Sequence, residues 1–133
     1  MASPTRSVLP ADTRLGRAWV ALTASLAAHV ADEALSGFLD VYNPIVRSVR
    51  DRVGWFPMPT FTFEVWIAGL VAAVVVLFAL APLAYRRSAF ARAAAYPYGA
   101  IMLLNGLGHF AGSLYLHRWA PGSTTAPLLI VSS

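Results

Sequence analysis

The sequence predicts an all-α integral membrane helical bundle. It would have three spanning helices, a truncated or half-length fourth, and a short interfacial helix between the first two. Three observations carry that expectation. The 133 residues are 58% hydrophobic and only 12% charged, against about 25% charged in a typical soluble domain. The mean hydropathy is +0.62. One stretch, "VWIAGLVAAVVVLFALAPLAY" from Val65 to Tyr85, holds no charged residue. It is long enough to cross about 30 Å of hydrocarbon at about 1.5 Å per residue.

Taken in order, residues 1–14 are polar and contain proline, and read as a flexible tail. Residues 15–133 then form a single helical membrane domain. The first span covers about 15–39, with Trp19 at its entry. Arginines precede "AWVALTASLAA" as in a signal peptide, but His29 and the acids follow directly, so the helix is read as retained. In "NPIVRSVRDRVGWF", Asn43 can cap and Pro44 suits a first helical position. Ile45, Val46, Val49, Val53 and Phe56 recur at helical spacing beside Arg47, Arg50 and Arg52. That pattern predicts a helix over about 44–56 lying in the membrane interface.

The second span covers about 61–85, opened by Glu64, with Trp66 and Tyr85 as interfacial anchors. The third covers about 91–119 and tolerates Pro97 near its start. The closing "APLLIVSS" is only about 15 Å of helix, half a bilayer, and is read as a truncated fourth helix rather than a re-entrant end. The tail and the loop after the second span carry six arginines, the opposite side four, which favours a cytoplasmic N-terminus.

Composition also excludes chemistries. With no cysteine there is no disulfide and no thiolate metal site. All ten basic residues are arginine, but they fall in small groups between the apolar runs, as membrane loop charges do. The net charge of +4 therefore forms no patch for nucleic acid. No glycine-rich phosphate loop, nucleophile elbow or H-E-x-x-H is present.

The polar residues inside the apolar runs carry the chemistry. Ser25, His29, Asp32, Glu33, Ser36 and Asp40 follow steps of three and four, and so form one stripe on the first helix. In "LLNGLGHFAGS", Asn105, His109 and Ser113 form another, with Gly106, Gly108 and Gly112 beside it. The Gly108–Gly112 pair is a G-x-x-x-G pattern that lets a neighbouring backbone come close. Counted from Arg17, His29 lies about 18 Å along its helix and Glu33 about 24 Å. Counted from Arg92, Asn105 lies about 20 Å along and His109 about 26 Å. Both stripes thus reach one height.

Charged groups in hydrocarbon cost about 2.5–3.5 kcal/mol each on insertion scales, so clusters of them mark functional sites. His29 and Glu33 at i, i+4, joined by His109, supply the ligands of a divalent metal such as zinc, iron or manganese. The catalytic candidates are Glu33 and Asp32 as general base and Asn105 as hydrogen-bond donor to substrate or to His109. Asp32 could also be a fourth ligand, or a carboxylate orienting a histidine. Glu64 is either a further ligand or an ordinary first-turn acid. His117 reads as interfacial and Asp40 as solvated. The plainer alternative is that His29 pairs with an acid and His109 with Asn105, only to hold helices together.

"HVADE", "NGLGH" and "WAPGSTT" together resemble the HXXEE-domain family of small bacterial integral membrane proteins. By position, His29 and Glu33 match its His-x-x-Glu-Glu motif, Asn105 and His109 its Asn-x-x-x-His motif, and Pro121, Gly122 and Thr125 its Tyr-x-Pro-Gly segment and following threonine. Asp32 stands where the family has glutamate, and Trp119 where it has tyrosine. The resemblance covers roughly residues 20–130 and implies a membrane enzyme of the bacterial inner membrane without naming its reaction. It also implies a further helix beyond Ser133.

The expectation is thus a metal-dependent membrane enzyme hydrolysing or oxidising a lipid-like substrate. The competing expectations are a proton or ion relay or small transporter, and an accessory subunit of a larger membrane complex. The expected partners are the bilayer and a lipid-like small molecule, and three helices make so thin a wall that a homo-oligomer or membrane partner is expected too.

Overall fold

The structure, a computed structural model, describes residues 13–133. Residues 1–12 of the expected tail lie outside the described residues. Among those described there are five helices and no strand: α1 Arg14–Ser36, α2 Phe38–Val53, α3 Phe63–Tyr85, α4 Ala89–Leu116 and α5 Ala126–Ser132.

The first helix ends three residues earlier than expected, and the second begins six residues sooner. Gly37 is the reason. It adopts φ +74°, and its N–H closes α1 by donating to the Glu33 carbonyl. Glycine takes this left-handed conformation without the steric penalty a Cβ incurs. Pro44 is therefore inside α2 rather than at its start. It removes one helical N–H. Asn43 does not cap. Its side chain instead clasps the Phe61 backbone, donating to the carbonyl at 2.9 Å and accepting from the N–H at 3.1 Å. Tyr42 and Arg50 donate to the carbonyls of Pro59 and Met58, at 2.9 and 2.7 Å, so three side chains tie α2 to the loop that follows it.

Thr62 caps α3 and Ser88 caps α4, each hydroxyl accepting an orphan N–H of the first turn. Glu64 is exposed in the first turn of α3, where the helix dipole favours an acid, and it stands apart from the buried polar groups. α4 continues through Pro97 and ends at His117, which is exposed with φ +51°.

α3 runs antiparallel to α1. The Tyr85 ring covers Gly16 so closely that a Cβ there would overlap it, and the Trp19 indole N–H donates to the Leu77 carbonyl at 2.8 Å. α4 runs parallel to α1. Trp19 meets Tyr98 near one end, with ring centroids 5.1 Å apart, and His29 meets His109 near the other, at 4.5 Å. Ten residues on α1 and eleven on α4 separate these contacts, about 15 and 16 Å of helix, so the register is self-consistent.

Between the two contacts α1 and α4 are wedged apart by α5. Leu129 is fully buried there, packed with Leu22, Leu26 and Val30 of α1. Gly106 admits the wedge on the α4 side: a Cβ there would lie 2.8 Å from Ile130 Cγ1 and 3.0 Å from the Ala126 carbonyl oxygen. Among the described residues the expected G-x-x-x-G approach is not used, since nothing lies within 4 Å of a Cβ at Gly108 and only Ala120, at 4.0 Å, near one at Gly112.

Among the described residues one helix, α3, is both long and apolar enough to cross a membrane, with a mean hydropathy of 2.7. α1 and α4 match it in length, at 23 and 28 residues, but their polar stripes lower their hydropathy.

Candidate metal centre

Three buried side chains converge where α1 and α4 pass each other. The Nε2 atoms of His29 and His109 are 3.0 Å apart. Glu33 Oε1 lies 3.1 Å from His109 Nε2 and 3.6 Å from His29 Nε2. Spacing of i, i+4 stacks His29 and Glu33 on one face of α1, and the parallel register of α4 delivers His109 to the same height.

The far side of each ring decides what the near side can do. His109 Nδ1 lies 2.7 Å from the Pro121 carbonyl, which only accepts, so Nδ1 carries the proton. His29 Nδ1 lies 2.9 Å from Thr125 Oγ1. The Thr125 hydroxyl donates to Asp32 Oδ2 at 2.9 Å, so it accepts from His29. In neutral rings both Nε2 atoms therefore present bare lone pairs, and Glu33 adds a carboxylate oxygen.

A point equidistant from the three atoms is about 1.9 Å from each, and a metal ion at the usual 2.0–2.2 Å to nitrogen and oxygen sits just above their plane. The donor set suits zinc, or the two-histidine, one-carboxylate arrangement of iron and related ions.

The loop 117–125 roofs this cluster. Gly122 has φ +82°, and a Cβ there would lie 2.5 Å from His109 Cε1, 2.7 Å from its Nδ1 and 3.0 Å from Glu33 Cγ. The roof is pinned by hydroxyls. Ser113 Oγ accepts from the Ala120 N–H at 3.0 Å and lies 2.8 Å from Ser123 Oγ. Both serines reach the His109 carbonyl. Trp119 donates to Thr124 Oγ1 at 3.1 Å, on the exposed side of the loop.

Asp32 is not among the three converging groups. Its Oδ2 also accepts the Thr125 N–H at 3.1 Å, so its contact is with the residue that holds His29. Asn105 stands half-buried one turn before His109, and its side chain makes no protein hydrogen bond among the described residues. It makes no hydrogen bond to His109, whose outer nitrogen Pro121 has taken. Of the remaining stripe, Ser25 pairs with Ser132 of α5 at 2.9 Å, Ser36 donates to the Asp32 carbonyl, and Asp40 is exposed.

Two hollows flank the cluster. An apolar cleft of about 400 Å³ lies between α2 and α4, with Asn105 and His109 in its wall. A more polar hollow of about 320 Å³ lies on the Glu33 side, beside Asp40 and Asn43. Phe38 lines both, its ring 5.7 Å from that of His109. At the rim of the apolar cleft, burial pushes the Tyr42 phenol up from its ordinary value, with the Arg50 charge partly opposing.

Thr125 carried a sequence signal only through the family motif, and Ser123 carried none, since a serine in a short polar loop reads as solvated. A buried hydroxyl knot near the other end also gave little warning: Thr23 Oγ1 donates to the Trp19 carbonyl at 2.8 Å and lies 3.0 Å from the Tyr98 hydroxyl.

No curated protein and no solved structure matched the chain. A family described as protein of unknown function with HXXEE motif matches residues 19–133. That span contains His29, Glu33, His109 and the roof that orders them, and the chain belongs to this HXXEE-motif family.

Proposed function

We propose that the protein is a membrane enzyme in which α1, α3 and α4 span the bilayer and His29, Glu33 and His109 bind a divalent metal ion. One observation carries the metal: both outer ring nitrogens are committed as donors, so three lone pairs face one another in a buried space and require a cation. Three protein ligands leave coordination positions open, which is the mark of a catalytic rather than a structural site.

A bound divalent ion there would act as a Lewis acid toward a carbonyl or lower the pKa of a water. The chain's own groups do the rest. Asp32 and Thr125 fix the His29 ring, and Pro121 fixes that of His109. Asn105 offers its amide N–H to a ligand in the apolar cleft, and Glu33 meets the polar hollow from which water can enter.

The membrane setting is supported by an inside-out distribution of residues. Val71, Val75 and Val76 of α3 and Ile101, Leu104 and Leu107 of α4 face outward while the histidines face in. Exposed apolar surface on this scale marks a lipid or protein contact.

Elemental analysis of the detergent-purified protein, beside a His29→Ala, His109→Ala double variant, tests the proposal. Near-stoichiometric zinc, iron or manganese in the wild type and none in the variant supports it. Absence of metal from both, with both folded, overturns it.

A proton relay is the second reading, since one proton between the three groups also relieves their lone pairs. The hydroxyl pairs Ser25–Ser132 and Thr23–Tyr98, further along α1, favour it. Proton flux in liposomes, abolished by Glu33→Gln, would establish it.

A further inference from the structure

We infer that the apolar cleft between α2 and α4 binds the hydrocarbon chain of an acyl ester or amide, entering sideways from the bilayer, with its carbonyl at Asn105 and His109. This rests on the membrane reading above and names the substrate class for the same centre. The volume of about 400 Å³ falls within the range of roughly 300–1,000 Å³ typical of small-ligand sites.

The walls are hydrocarbon: Phe38, Ile45 and Phe56 on one side, Leu104 and Leu116 on the other. The floor is not. His109 reaches the cleft from the metal cluster, and Asn105 is the one amide in the wall, without a protein partner among the described residues. A half-buried amide facing an apolar cleft calls for a ligand with an acceptor at that depth and an apolar remainder. An acyl carbonyl meets both demands.

The cleft has room because of glycine. Gly108 lines it, and nothing lies within 4 Å of a Cβ placed there. A helix that elsewhere presents leucine and isoleucine outward drops to hydrogen at two positions on the cleft wall, Gly108 and Gly112, so a chain can lie against the backbone. Ile45 and Gly112 also line an adjoining hollow with Ser48, Arg52 and Tyr115, where a polar head can reach water or the arginine.

The test uses the full chain in nanodiscs and a palmitoyl amide carrying a photoactivatable diazirine in its chain. Cross-linked positions are mapped by mass spectrometry, and metal content is measured on the same samples. Labelling of the outward face of α3 reports ordinary lipid contact. Saturable labelling at Ile45, Phe56 or Leu116, competed by unlabelled palmitoyl amide, is expected. Gly108→Phe should lower it by about tenfold or more, leaving α3 labelling and metal content unchanged. Ile45→Trp, from the opposite wall, should do the same. Wild-type protein stripped of metal with a chelator should keep saturable labelling, so failure of the metal reading and failure of this one are separable. Labelling of the cleft that never saturates, or that both filling variants leave unchanged, overturns the inference.

Discussion

Thr125 gives both its hydroxyl and its backbone N–H to one oxygen of Asp32, at 2.9 and 3.1 Å. From that fixed position it accepts from His29 Nδ1. Partners of this kind typically account for about 10–100-fold in metal affinity. Thr125→Val and Asp32→Ala should each weaken binding by that order in a competitive chelator titration, while Thr125→Ser, which keeps the hydroxyl, should not. Equal affinity in Thr125→Val and wild type would mean that His29 is oriented by packing alone.

Gly122→Ala should be more damaging than its size suggests. The new methyl meets the His109 ring and the Glu33 side chain, and the backbone sits at φ +82°. Left-handed backbone at a non-glycine residue costs on the order of 1–3 kcal/mol, before any ring displacement. A lower thermal unfolding temperature together with lost metal is expected. Loss of stability with metal retained would show that the roof can lift without moving His109.

Gly106 and Gly108 lie two residues apart and should respond in opposite ways to alanine. At Gly106 the methyl meets the Ala126 carbonyl oxygen at 3.0 Å, a backbone atom that cannot rotate away. Overpacking of this kind costs roughly 1–3 kcal/mol. Hydrogen exchange across 126–132 should accelerate. At Gly108 the methyl meets nothing within 4 Å, and the helix gains about 0.5–1 kcal/mol from losing glycine's freedom. Equal effects at the two positions would place the wedge elsewhere.

Asn43→Ala removes both bonds that clasp the Phe61 backbone. A loss of about 1–2 kcal/mol is expected, with faster amide exchange at Phe61 and unchanged metal content. Protection at Phe61 that survives the substitution would mean that the ring contact of Tyr42 with Phe61 suffices to hold the loop.

Helical periodicity made α3 and the two polar stripes legible, because a run without charge and steps of three and four admit few other readings. The convergence of the two polar stripes was legible from depth, since two parallel helices of fixed rise bring equal heights together. Those heights set His109 beside Glu33 and Asn105 beside His29, and the contact of His29 with His109 comes from the structure. Gly37 was harder. A glycine after "EALS" can end a helix or sit inside one, and here the left-handed turn wins and carries α2 forward to Phe38. Asn43 and Pro44 misled for a related reason: a cap signature competes with tertiary partners, and the Phe61 backbone outbid it. The wedge formed by α5 had no local signal, because six apolar residues and a serine look alike whether they face lipid or fill a crevice.

The sequence separation of the cluster also bears on biogenesis. His29 waits 80 residues for His109 and 96 for Thr125. At roughly 5–20 residues per second, a nascent chain would expose His29, Asp32 and Glu33 for about 4–16 s before His109 is made. The polar face of α1 therefore stays without its partners during synthesis, and its pairing depends on a helix and a loop that have not yet left the ribosome.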